Sequence, residues 1–264
     1  MDNISMVLMS CDKYEDAWYP FFHQLKANWP EFDMPIYLGT ESKCFSYDGL
    51  DIRCPLAGGK EYRQWSERLL QLLKKIDSEF ILFMLDDFWL TSKVDKDVFM
   101  RIKSYIENDR YIGFVCLLHE SKSFATDEQR KKIVSSKYED LVEWEKGLPF
   151  RITTQAGLWR KSFLVKLLRS HESAWYFETR ATWRSKFCKE KVYNVKESLL
   201  SYPTGGFFGG GKCYKDYIGL YPSEILQEPL KRGTISFGET RSYPPKSKGV
   251  KYCWELVKSV WPKW

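Results

Sequence analysis

The chain has no run approaching the ~20 consecutive apolar residues that span a bilayer, so no transmembrane helix is expected. Its first residues, MDNISMVLMSCD, lack a basic start and a small-residue cleavage site, and no secretory signal is expected either. The seven cysteines are scattered, odd in number and without a CxxC pair. They read as reduced, mostly structural thiols of a cytoplasmic protein. There is no internal repeat and no linker-like stretch. The expectation is one folded unit over residues 1–222 with a peripheral extension over 223–264.

Further absences concern nucleotide chemistry. GFFGGGKC (206–213) has the GxxxxGK spacing of a phosphate-binding loop, but Cys213 stands where Ser or Thr would meet Mg2+. The YKDYIGLYP that follows is too short, and ends in proline, to be the required helix. An ATPase is therefore excluded. A mobile glycine-rich flap over a ligand, or an ordinary loop, remains. DDFWLT lacks the Asp-x-Asp spacing of phosphatases that use an aspartate nucleophile. The loop after the first strand, SCDKYEDAW, lacks the glycine- and arginine-rich signature of a sugar nucleotidyltransferase.

Aromatics are plentiful, with 11 Trp and 16 Tyr, which suits stacking sites or a surface at a lipid interface. From Pro229 onward eight Lys and Arg face two Glu, which equals the whole net charge of +6. A nucleic-acid protein spreads its charge over a groove, so no nucleic-acid partner is expected. The tail ends YCWELVKSVWPKW, with Trp254, Leu256, Val257, Val260 and Trp261 as an apolar side. It reads as a contact with the inner membrane face or as a helix docked on the core.

Along the first 90 residues the pattern is strand (4–10), the loop SCDKYEDAW leading into a helix that Pro30 stops, strands (34–40 and 50–56), helix (65–76) and strand (80–85). That alternation predicts an α/β fold with a mostly parallel sheet flanked by helices. A helix over 96–108, a strand over 111–118, a strand or strand and turn over 153–160, helical stretches over 162–170 and 171–187, and a strand-like VYNVKESLLSY follow. Residues 119–148 show no clear strand. In such sheets ligands bind beyond the carboxyl ends of the strands, where SCD (10–12) and LDD (85–87) fall. Asp86 and Asp87, carried there by the apolar run FILFML, are suitable ligands for Mg2+ or Mn2+ bridging to a substrate diphosphate, or else a cap on the next turn. Arg68 in WSERLL is placed to contact a phosphate, or is a solvated surface residue.

WSERLLQLLKKIDSEFILFMLDDFWL together with TTQAGLWRKSFLVKLLRSHESAWYFE resembles bacterial GT-A fold glycosyltransferases of the capsule and lipopolysaccharide type, over about residues 4–215. The usual motif there is Asp-x-Asp; here the acids are adjacent. The resemblance implies a Rossmann-like GT-A fold and a nucleotide-sugar donor. It also implies a glycan or lipid-linked oligosaccharide acceptor and a cation held by Asp86 and Asp87. Cys11, Asp12 and Tyr14 match the place that holds base and ribose, and Lys212 would reach the diphosphate on loop closure. An acid at a helix start is the base of similar inverting enzymes. Glu172 is placed that way, with Glu178 as the second candidate or a holder of a sugar hydroxyl. Trp159 and Trp175 offer faces for a pyranose, or belong to the core. The rival readings are another nucleotide-sugar transferase and a non-catalytic carbohydrate- or membrane-binding protein.

Overall fold

The computed structural model of the chain describes residues 3–58, 64–119, 133–203 and 205–239. The apolar runs ISMVLM and FILFML become β1 (Ile4–Met9) and β4 (Phe80–Leu85), buried along almost their whole length. Strands apolar at every position are those covered on both faces. Around them lie β2 (Ile36–Gly39), β3 (Ile52–Arg53), β5 (Ile112–Cys116), β6 (Ile133–Ser135), β7 (Leu141–Trp144), β8 (Gly157–Arg160) and β9 (Lys191–Val195). They form one nine-stranded sheet in the order β3-β2-β1-β4-β8-β5-β9-β7-β6. Only β8 and β7 run against the other seven.

Helices connect these strands: α1 (Trp18–Asn28), α2 (Trp65–Leu73), α3 (Lys96–Asn108), α4 (Lys161–Leu167), α5 (Ala174–Arg184) and the short α6 (Ser223–Leu226). Apolar residues three and four apart set their buried faces, as with Phe21, Phe22 and Leu25 on α1 and Leu69, Leu72 and Leu73 on α2. The Asp95 side chain caps α3 by accepting from the amides of Asp97 and Val98, both at 3.0 Å. The Ser173 hydroxyl caps α5 through the Tyr176 amide.

Two sequence expectations need correction, and a third, the strand in TTQAGLWR, gains its direction. The segment without a clear strand contains β6 and β7, an edge hairpin too short to show periodicity. The TTQAGLWR strand is inserted antiparallel between β4 and β5. Gly157 makes this insertion possible, because a Cβ there would lie 2.2 Å from the Phe114 ring, which stacks on Trp159 at 3.9 Å. Finally, the cysteines are not all reduced. Cys44 and Cys54 form a disulfide with Cα atoms 5.5 Å apart. The loop from β2 to β3 folds back on itself and joins thiols ten residues apart, a pairing that spacing alone does not signal.

The boundary expected at residue 222 is not a separation either. β10 (Phe208–Gly209), β11 (Lys212–Tyr214) and β12 (Thr234–Ile235) form a second, three-stranded sheet in which Cys213 pairs with Thr234. Residues 223–239 are therefore built into the same body. The tail residues Trp254, Leu256, Val257, Val260 and Trp261 lie outside the described residues. Among the described residues no helix is long and apolar enough to cross a membrane.

Gly157→Ala is expected to destabilise the fold by about 1–3 kcal/mol through overpacking. Its urea midpoint falls while the slope of the transition is unchanged; an unshifted midpoint would contradict this account of β8.

Candidate active site

Strand register creates the site. β1 and β4 pair in parallel from Ile4 with Phe80 to Met9 with Leu85, so the next residues, Ser10 and Asp86, emerge side by side. The Ser10 hydroxyl donates to Asp86 Oδ2 and itself accepts from Trp18 Nε1 at 2.7 Å. Trp89 Nε1 donates to the Asp86 carbonyl at 2.8 Å and fixes the turn after β4. Asp87 lies under the glycine segment: its carbonyl accepts from the Phe207 amide at 2.9 Å. Gly206, at φ +90°, comes so close that a Cβ there would stand 2.0 Å from Asp87 Oδ2. Only glycine tolerates both that angle and that approach.

Both carboxyls are pushed up in pKa. For Asp86 burial is the largest cause and carries it to about 7, against the hydrogen bond from Ser10. For Asp87 burial comes first and the neighbouring charge of Asp86 second, and it is raised well above the usual carboxylate range. Among the described residues neither acid is in an ion pair. Two desolvated carboxylates side by side call for a proton or a cation. The donor set suits a hard divalent cation such as Mg2+ or Mn2+. Among the described residues no group of three or more His, Cys, Asp or Glu gathers to hold a metal. Its remaining oxygens would therefore come from water and a phosphorylated substrate.

The glycine segment, expected as a flap or an ordinary loop, forms a β-hairpin. Gly210 and Gly211, at φ +58° and +83°, close the two-residue turn of the β10–β11 hairpin. Phe207 is fully buried and stacks on Trp89 at 4.2 Å. Phe208 meets Tyr14 edge-on at 5.4 Å. Aromatic packing thus anchors the hairpin over the acid pair. Lys212 is exposed on β11.

Arg232, which sequence reasoning passed over as one charge of the tail, ties this corner together. It pairs with Asp16 at 2.5 Å and lies over the rings of Tyr14 (4.3 Å) and Phe208 (5.2 Å). Its positive charge reaches Asp86. It also lines a surface groove of about 360 Å3 with Lys13, Glu15, Asp16, Glu228 and Lys231. The acid pair does not line that groove. No sequence signal marks an arginine 216 residues from its aspartate partner.

The other expected residues divide. Cys11 is half-buried beside Asp86, and burial, then the charge of Asp86, raises its pKa. Tyr14 faces the hairpin, with its hydroxyl 3.9 Å from where a Gly211 Cβ would stand. The Asp12 carboxylate turns to the loop after β2, where the amides of Glu41 (3.1 Å), Ser42 (3.0 Å) and Lys43 (3.2 Å) donate to it. Arg68 is buried, not solvated. It donates to the Ser10 carbonyl at 2.7 Å and pairs with Glu41, so it braces the end of β1 and is not presented to a phosphate. Trp159 is core.

The two glutamates exchange rank. Glu172 is fully buried, and both its oxygens are taken by Arg184, at 2.8 and 2.6 Å. Arg180 lies 3.7 Å away. Glu172 precedes the cap of α5 and closes a buried ion pair to that helix's last residue, so neither of its oxygens is left open to a ligand. Glu178 projects from the inner face of α5 onto Thr153 and Thr154, just before β8. Its Oε1 accepts from Thr153 Oγ1 (3.0 Å), the Thr154 amide (2.6 Å) and Thr154 Oγ1 (2.8 Å). Oε2 carries none of these bonds. Burial raises its pKa, against the donors on Thr154 and Thr153. The antiparallel pairing of β8 with β4 sets this threonine pair beside the exit of β4. Tyr202 completes the connection: it donates to Gln155 Oε1 at 3.1 Å and stacks on Phe88, next to Asp87, at 4.4 Å. The adjacent threonines of TTQAG were the one signal for this arrangement.

No family model matches the sequence, and no curated protein matches it. Among solved structures, S. aureus TarS 1–349 in complex with UDP is 10% identical, with a TM-score of 0.50. That match covers 87% of this chain and 65% of the TarS fragment, so the chain spans a little under two thirds of that fragment. The galactosyltransferase LgtC in complex with donor and acceptor sugar analogues is 10% identical over 97% of this chain and 95% of its own, with a TM-score of 0.38. The bifunctional IspDF from Campylobacter jejuni is 13% identical over 83% and 54%, with a TM-score of 0.44. The likeness to TarS is one of fold: a Rossmann-like GT-A sheet, mostly parallel and flanked by helices.

Two outcomes follow from the two acid sites. Glu172→Gln leaves Arg184 without its buried counter-charge and is expected to cost about 3–5 kcal/mol of stability. It shows as a lower melting temperature, with ligand binding by the folded fraction retained; loss of binding at full stability would restore a role for Glu172 in the site. Asp86 binds its proton more tightly folded than unfolded. Its contribution to stability is complete below the unfolded carboxyl range and is lost as pH rises through about 7. Chelator-treated protein should therefore melt higher at pH 5.5 than at pH 7.5, and Asp86→Asn should flatten that difference.

Proposed function

We propose that the chain is a nucleotide-sugar-dependent glycosyltransferase of the hexosyltransferase type, inverting and dependent on Mn2+ or Mg2+. Its acceptor would be a glycan of cell-surface polysaccharide synthesis, such as capsule or lipopolysaccharide, carried on a lipid at the inner membrane face. The observation that carries this reading is the buried acid pair at the carboxyl end of β4, the edge at which sheets of this kind bind their ligands. Support comes from TarS, which shares the fold and was solved with UDP, the kind of leaving group such a site would meet.

In this reading Asp86 and Asp87 hold the cation. Once bound, it supplies positive charge against the diphosphate that departs from the sugar. Cys11 and Tyr14 lie at the end of β1, where base and ribose would rest. Asp12 acts from behind, by setting the loop after β2. The hairpin lies over the acid pair and would exclude water from the donor, and Lys212, exposed on its second strand, would reach the diphosphate. Glu178 takes the acceptor hydroxyl's proton at Oε2, while Oε1 stays fixed by Thr153 and Thr154. Its raised pKa brings it nearer to neutrality, where a general base works best.

Thermal shift against UDP-, GDP- and CMP-sugars, with and without Mn2+, tests the donor site. One nucleotide family should stabilise the protein, and more so with metal; no shift with any of them contradicts the reading. Glu178→Gln should lower kcat by about 100-fold or more with little change in donor KM. Unchanged turnover would remove Glu178 from the mechanism.

A further inference from the structure

α5 is inverted relative to an ordinary surface helix. Its inner face buries two charged residues, Glu178 and Arg184, beside Phe177 and Ala181. Its outer face carries aromatics. Trp175 is 54% exposed, Tyr176 43%, and Phe187, in the turn that continues the helix, 70%. Trp183 meets Phe187 edge-on at 5.1 Å. Positions 176, 180, 183 and 187 fall on one stripe at helical spacing, with Trp175 at its edge. The stripe runs for roughly 18 Å. Scattered exposed aromatics need no explanation, but a contiguous row of them marks a contact surface.

The charge around this row selects the partner. Residues 161–191 hold eight Lys and Arg against three Glu. None of the three acids is offered to solvent as a free negative charge. Glu172 is buried against Arg184, Glu178 is buried against the threonines, and Glu190 pairs with Lys166 at 3.0 Å. Lys186 and Lys189, both exposed, flank Phe187, and Arg180 lies over the Tyr176 ring at 4.6 Å. Rings that sit at the headgroup level, with lysines that reach the phosphates, are the chemistry of a helix lying on an anionic bilayer.

We infer that the outer face of α5, with the turn through Lys189, is a docking surface for an anionic lipid bilayer. It lies on the face of the helix opposite to the one that presents Glu178, so docking places the bilayer about one helix diameter, ~10 Å, from that residue. It takes its sense from the proposed lipid-linked acceptor, yet neither the surface nor its test depends on catalysis.

The test is flotation of the full chain, residues 240–264 included, with vesicles of phosphatidylcholine alone or with about one third phosphatidylglycerol. The expected result is binding to the anionic vesicles only, weakened by salt. Trp183→Ser with Phe187→Ser should reduce the bound fraction about tenfold, and so should Lys186→Glu with Lys189→Glu. The charge-reversal pair touches only exposed side chains and keeps the test valid if the aromatic pair fails to fold. Melting temperature and nucleotide-induced stabilisation, measured on the same samples in solution, should match the unmodified chain, which separates failure here from failure of the glycosyltransferase reading. The inference is overturned if the unmodified chain does not float, if it floats equally with neutral vesicles, or if the charge-reversal variant floats as well as the unmodified chain. It is equally overturned if the aromatic pair instead abolishes a concentration-dependent dimer, or binding of a soluble oligosaccharide, without affecting flotation.

Discussion

Two carboxylates packed beneath protein atoms, neither in an ion pair with a cation among the described residues, set the terms for everything around them. Burial is the largest cause that lifts both above the ordinary carboxylate range, and the charge of Asp86 makes Asp87 harder still to ionise. The fold tolerates this cost by holding each acid from one side only. Ser10, itself fixed by Trp18, holds Asp86, and the backbone of the glycine hairpin covers Asp87. What remains open is the demand for positive charge, and that demand gives the site its chemical direction. A chain concerned only with stability would be served better by apolar residues at the end of β4.

The elements around the pair follow from that demand. The hairpin must approach Asp87 closely, which requires glycine at 206, and must stay in place, which Phe207 achieves by stacking on Trp89 and Phe208 by meeting Tyr14 edge-on. Arg232 then joins the hairpin to the first strand's loop through Asp16 and two rings. The segment after residue 222 is thus a structural part of the site, because its strand β12 completes the sheet that carries the hairpin.

α5 shows how one helix serves two surfaces. Its charges point inward because each finds a partner there: Arg184 meets Glu172, and Glu178 meets two threonines. Its aromatics are left outside, where lysines surround them. Much of the alternation of strands and helices was legible in the sequence, since continuous apolar runs and helical spacing report burial directly. β1, β4 and α3 fall where the pattern put them. The Asp86–Asp87 pair was legible too, because charge straight after a buried strand is locally anomalous. Glu172 misled for the opposite reason. Its position near a helix start is a local feature, whereas its partner, Arg184, lies twelve residues on, at the far end of the helix.

The sequence by itself determined which segments are buried, that an α/β sheet forms, and that two acids stand at the end of a central strand, because these depend on neighbours along the chain. Only the tertiary structure decided which charges find partners: that Arg68, Asp12 and Glu172 brace the scaffold, that Glu178 keeps an oxygen outside its hydrogen bonds, that Cys44 meets Cys54, and that Arg232 returns to the first loop. Pairing depends on distance in space, and residues as far apart as 16 and 232 meet only when the whole sheet has formed.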